Sequence, residues 1–204
     1  MNSYALTTVA RLKAFIGIDV STYDSVLETI IDSVTDWIEN ECGRRFKLTA
    51  YTGVILDGKG SKEMVLPQWP VSTATLTLYE REGGSYGDTN FDSISSDKYR
   101  IDRESGIISL DHKFYEGFQN YKIDYSAGYD FENVTGTLKT LASVGLSDLE
   151  MAVWKLASQA YNNRKSSGNI SRMKLYNYDV TFAKESDADD QIQKVLSKYQ
   201  RLTF

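Results

Sequence analysis

The hydrophobic positions of this chain change period twice. From Val26 onward they fall at Leu27, Ile30, Ile31, Val34, Trp37, Ile38 and Cys42, the spacing of one helix face. Asp24, Glu28, Asp32, Asp36 and Glu39 take the other faces, and Ser21 with Asp24 resembles a capping box. Gly43 ends this helix of about five turns. A shorter helix precedes it: Thr7 or Thr8 caps Val9 to Ile16, Leu12, Phe15 and Ile16 form its stripe, and Gly17 stops it. Arg44 and Arg45 follow the long helix, where positive charge favours the helix dipole.

The period then shortens to two. Thr49 to Leu56, Glu63 to Leu66, Thr73 to Glu80, Tyr99 to Asp102, Gly106 to Leu110 and Tyr121 to Tyr125 read as strands rich in Val, Ile, Thr and Tyr. Asp57-Gly58-Lys59-Gly60 supplies a hairpin turn, residues 83–90 a glycine-rich loop, and Arg103–Ser105 the turn of a second hairpin. Short strands at this spacing predict an antiparallel sheet, a small sandwich or an open barrel.

Helical spacing returns at Ser147, where Ser147 and Glu150 form a capping box ahead of Leu149, Val153, Leu156, Ala160 and Tyr161. Residues 164–174 read as a loop, and Leu175 to Phe182 as a strand with Tyr176, Tyr178, Val180 and Phe182 on one face. Asp187, Asp189 and Asp190 open a final helix with Ile192, Val195, Leu196, Tyr199 and Leu202 as its stripe. Lys194, Lys198 and Arg201 lie toward its end, complementing the dipole. The pattern predicts an α+β chain: a helical assembly core from 1–46 plus 147–204, an inserted antiparallel β domain at 47–130, and a linker at 131–146.

Composition narrows the class. Fourteen Tyr, eight Phe and three Trp in 204 residues argue against disorder. No apolar run approaches the roughly 20 residues of a membrane helix, and no secretory signal is visible, so the expectation is a soluble protein made in a cytoplasm. The lone Cys42 allows no intrachain disulfide. Net charge is −5, which makes the chain a poor candidate for gripping DNA through its phosphates and is compatible with a channel wall past which DNA slides. Residues 131–204 differ, with ten basic and eight acidic side chains. Met151 to Tyr178 carries Lys155, Arg164, Lys165, Arg172 and Lys174 and no acid, which reads either as a solvated face or as a contact with an acidic partner or passing DNA.

Candidate chemistry is sparse. His112 has no Cys or other His nearby in sequence for a zinc site and reads as a surface residue. Cys42 lies on an apolar helix face and reads as packing. Residues 57–60 lack the spacing and the Lys-Ser/Thr ending of a phosphate loop, and residues 187–190 lack the spaced ligands of a calcium loop. Nothing selects a carboxylate pair for glycoside cleavage. The expectation is a protein that is not an enzyme, with no cofactor and no metal.

In order along the chain, Leu6 to Gly17, Cys42-Gly43-Arg44-Arg45-Phe46, Leu66-Pro67-Gln68-Trp69-Pro70-Val71, Tyr121 to Tyr129 and the helix from Ser147 resemble the head–tail connector proteins of tailed phages, the adaptor or head-completion family. The resemblance implies a virion neck protein without catalytic residues. It implies a ring of identical copies, usually twelve, docked on the portal protein above and a tail-side stopper or terminator below. Genomic DNA passes as cargo, and no membrane is involved. C-terminal segments of this family commonly reach into the portal. The portal or partner contact is therefore expected from Arg164, Lys165, Arg172, Lys174, Tyr176, Tyr178, Ile192, Val195, Tyr199 and Phe204, with the last helix inserting its apolar stripe. An alternative is a carbohydrate- or surface-binding β module of a tail or baseplate; a third is a cell-wall hydrolase.

Overall fold

Both front helices form where the pattern places them, in a computed structural model that describes residues 3–72, 76–81, 90–131, 140–164, 172–175, 178–181 and 186–200, with only the backbone described among residues 172–189. Helix α1 spans Val9–Ile16: Thr8 Oγ1 accepts the Arg11 N–H at 3.3 Å, and Gly17 closes it in the left-handed region at φ 72°. Helix α2 spans Asp24–Cys42 and buries Leu27, Ile31, Val34, Ile38 and Cys42. Two expectations fail here. No capping box forms at Ser21, because a 3-10 turn covers Ser21–Tyr23 and Lys13 Nζ takes the Asp24 carboxylate at 2.8 Å. Phe15 lies on the surface rather than in the stripe, with its ring 5.4 Å from that of Trp154.

Helix α3 spans Ser147–Asn163 and α4 spans Ser186–Ser197. The Ser147/Glu150 box is likewise absent. Glu150 is buried, and its carboxylate receives both the Arg11 guanidinium, at 2.7 and 2.9 Å, and the Ala142 N–H at 3.3 Å. A carboxylate nearly out of water needs such charge-assisted partners, and a cap would not supply them. Thr35 meets its need similarly, its Oγ1 accepting the Leu6 N–H at 3.2 Å.

These helices belong to a unit made of Met1–Gly43 and Phe131–Phe204. In it α2 packs on α3, and α1 and α4 pack on both. The stretch read as a linker contributes Phe131, Leu141 and Leu146 to the buried residues.

The second unit, Arg44–Asp130, holds two antiparallel sheets over one core. Strand β1 is Thr49–Gly58, β2 Glu63–Val65, β3 Thr77–Arg81, β4 Phe91–Ser93, β5 Tyr99–Asp102, β6 Ile107–Leu110 and β7 Gly117–Ala127. The sheets run β1-β7-β3-β4 and β2-β6-β5. Strand β7 supplies the strongest alternation, burying Tyr121, Ile123, Tyr125 and Ala127 against Leu66, Leu78, Ile108, Leu110 and Phe114. The hairpin around Arg103–Ser105 forms as expected, its turn held by Asp102, which accepts from Glu104 N–H and Ser105 Oγ. The turn after Asp57 is not a hairpin turn: β1 pairs with β7 and β2 with β6, so it connects two sheets. Short β4 escaped the pattern because three residues show no usable alternation.

Near the C-terminus, the single strand expected at 175–182 is instead a hairpin. Strand β8, Arg172–Leu175, pairs antiparallel with β9, Tyr178–Thr181, in a two-stranded sheet of their own. Part of the expected basic loop is therefore strand.

Candidate functional site

Three of the sequence stretches that carry the resemblance meet in space within the β unit. Tyr129 N–H donates to Phe46 O at 2.7 Å, Leu48 N–H to Tyr129 O at 2.9 Å, and Gly128 N–H to Pro70 O at 2.9 Å. The two ends of this unit are thus zipped into a clasp, with a parallel bridge between Lys47 and Tyr129. Gly128 makes the approach possible. Its φ is +114°, and a Cβ there would stand 2.6 Å from Lys47 O.

Arg44 fills the clasp. Its side chain is 3% exposed, far from the solvated helix-end charge that its position suggested. The guanidinium lies 4.2 Å from the Trp69 ring centroid, 5.1 Å from Phe46 and 5.6 Å from Tyr129, and it donates to Trp69 O. Each ring quadrupole returns to this buried cation part of what it loses in hydration. Next to it, Arg45 N–H donates to Gln68 Oε1 at 2.9 Å. The signal was present in the sequence: Arg44 precedes Phe46, and Trp69 lies between prolines. Nothing in either stretch alone says that they touch.

At the far end of the same unit, Tyr121 Oη receives Tyr115 N–H at 2.9 Å and donates to Glu80 Oε1 at 3.1 Å. Burial, with the Glu80 carboxylate beside it, pushes this phenol up to about 12.

The expected partner-contact residues divide by position. Arg164 is exposed just after α3, its guanidinium 3.4 Å from the Tyr161 ring centroid and 5.2 Å from that of Tyr23. Arg172 and Lys174 fall in β8 and Tyr178 in β9, with Lys174 opposite Asp179 and Tyr178 opposite Leu175. Lys165, Tyr176 and Phe204 lie outside the described residues. On α4, Ile192 is 4% exposed and Leu196 is fully buried, while Val195 and Tyr199 are half-buried. Cys42 Sγ lies 3.9 Å from Leu196 O. The stripe of the last helix therefore faces its own bundle, which corrects the expectation that it projects outward for insertion.

Asp148 fixes the end of α4. Tyr199 Oη donates to Oδ1 at 2.5 Å and Lys198 Nζ to Oδ2 at 3.0 Å. Partial burial pushes the Asp148 pKa upward, but the bonds from Tyr199, Lys198 and Leu149 N–H outweigh it and hold the carboxyl below its ordinary value.

His112 is half-buried, with Nδ1 2.5 Å from Asp111 Oδ1. Cys42 is buried. Among the described residues, no group of three or more His, Cys, Asp and Glu side chains converges as a metal site, and no helix is long and apolar enough to cross a membrane.

The sequence matches the head completion protein family over residues 5–202, nearly its whole length. The chain belongs to the head completion protein family. No curated protein matches it. Its fold is similar to that of several solved structures. A protein in the neck of an empty GTA particle, computed with C6 symmetry, aligns at TM-score 0.61 and 14% identity, covering 100% of this chain and 95% of that one. One in the neck of a native GTA particle, computed with C12 symmetry, aligns at TM-score 0.52 and 16% identity over 100% and 94%. A chain from the virion of a native gene transfer agent particle aligns at TM-score 0.53 and 14% identity over 98% and 91%. Such low identities over nearly complete chains show a shared α+β fold. The head completion family thus accounts for both the helical unit and the β insertion.

Proposed function

We propose that this head completion protein is a structural component of the virion neck. Copies of it form a ring that joins the portal to the tail-side connector proteins and leaves a passage for DNA. The observation that carries this reading is the family match across both units, residues 5–202. Two further facts support it. The structures similar in fold come from particle necks computed with C6 and C12 symmetry. The net charge of −5 disfavours tight phosphate binding along a DNA channel.

The portal contact is assigned to the segment from Arg164 onward. A two-stranded hairpin alone is marginal in water, so β8–β9 suits pairing with a strand of a partner. Arg164, Lys165, Arg172 and Lys174 would meet an acidic portal surface, and Tyr176, Tyr178 and Phe204 would add aromatic contacts. Val195 and Tyr199 would border the contact, while Ile192 supports α4 from inside.

Deletion of the gene tests the role. Heads should fill with DNA and remain tailless, and purified protein should restore tail attachment. Tailed particles assembled without the protein would overturn the reading. Charge reversal at Arg164, Lys165, Arg172 and Lys174 tests the contact; portal binding indifferent to both reversal and salt would exclude it.

A further inference from the structure

Two pieces of this chain are each incomplete as β structure. The first is the outer edge of β1: among the described residues, no strand pairs with it on the side away from β7. An open edge presents unused backbone N–H and C=O groups, and proteins guard such edges by shortness, charge, proline or bulges. The other three edges of the two sheets are short or charged. Strands β2 and β4 have three residues each, and β5 carries Arg100 and Asp102. Strand β1 has ten residues, and Thr49–Leu56 holds no charge and no proline. Register shifts bend it between Tyr51 and Val54 and between Leu56 and Gly58, but Ile55, between them, is 40% exposed.

The second piece is the β8–β9 ribbon. Two strands of four residues, paired only with each other, make too small a sheet to hold by itself. Its two edges differ in sequence. Strand β8 carries Arg172 and Lys174, residue types that guard an edge, whereas β9 is Tyr178-Asp179-Val180-Thr181, with strand formers at three of its four positions. Within one copy β1 and β9 are not paired. A ring needs one surface of each copy to match a different surface of the next, and an edge that lacks a strand matches a ribbon that lacks a sheet. We propose that β9 of one copy adds to the β1 edge of a second copy, extending the β1-β7-β3-β4 sheet across the subunit boundary. The inference rests on the ring reading above and names the strands that join; β8, with its two bases, remains on the outer side for the portal.

Cysteine cross-linking in assembled particles tests it. Native Cys42 is 1% exposed and stays silent. Ile55→Cys is combined in turn with Tyr178→Cys, Asp179→Cys, Val180→Cys and Thr181→Cys. At least one pair should give a ladder of cross-linked multimers, and Ile55→Cys alone should give only monomer. Particles that contain the protein but yield no ladder with any pair would overturn the proposal, as would a disulfide closed within one chain. Dimers from Ile55→Cys alone would overturn it too, since they mean a two-fold contact of β1 with β1. If the wild-type protein is absent from particles, the neck reading itself fails and this proposal with it. Ile55→Glu provides a second check. Ile55 is exposed and stands opposite Lys122 on β7, so the melting temperature should hold. A negative charge on the edge, met by Asp179 in the incoming strand, should abolish incorporation into particles. Normal incorporation of Ile55→Glu would contradict the proposal.

Discussion

The clasp of the β unit and the seat of α4 in the helical unit both hold a chain end in place, but by different means. The clasp uses backbone approach that only glycine permits, plus a buried cation among three rings. The α4 seat uses two buried aliphatic side chains and a carboxylate about a third exposed, with three donors. The first arrangement tolerates little change, because Arg44 and Phe46 are buried and Gly128 has one workable geometry. The second degrades gradually, because its hydrophobic and ionic parts are separable.

The largest expected effect breaks the clasp. Gly128→Val places a branched side chain where φ is positive and Lys47 O is already in the way, and should destabilise the β unit by roughly 3 kcal/mol or more. Hydrogen exchange should show loss of protection along β1 and β7 while α2 stays protected. Leu196→Ala should cost about 3 kcal/mol of helical-unit stability, with exchange rising first in α4. Equal loss of protection in β7 would erase the distinction between the two regions.

Arg44→Ala should cost about 2 kcal/mol through the lost cation–π contacts. Arg44→Lys should recover only part of it, since a point charge lacks the planar face that stacks on Trp69. A urea melt of the β unit reads both.

The smallest effect is pH-dependent. Asp148 has a lowered folded pKa, so its stabilisation is present above the ordinary aspartate value of about 3.9 and disappears as pH falls through the folded value. Because Asp148 is about a third exposed, the contribution is small, roughly 0.5–1 kcal/mol. Amide protection of α4 should fall below about pH 4 in the wild type and show no such step in Asp148→Asn.

Sequence periodicity located α1, α2, α3 and most strands because each has a one-sided core face of sufficient length. It did not locate β4, three residues long, or divide Leu175–Phe182 into hairpin arms, because strand spacing is silent about where a short ribbon turns back. Two capping boxes were misread for one reason: Asp24 and Glu150 had long-range cationic partners, Lys13 and Arg11, that outbid a local cap. In the last helix Ile192 and Leu196 of the expected stripe are buried in their own bundle, and Leu202 lies outside the described residues. An amphipathic pattern tells that a face is covered and not which surface covers it. The clasp was hidden for the same reason, since its halves lie about eighty residues apart.

The central claim is that this protein is a ring component of the neck. A reconstruction of the neck from particles encoded with this chain tests it most directly. A ring of copies should stand between the portal and the tail-side proteins. A complete neck that lacks this chain, or density for it only at the tail tip, would contradict the account.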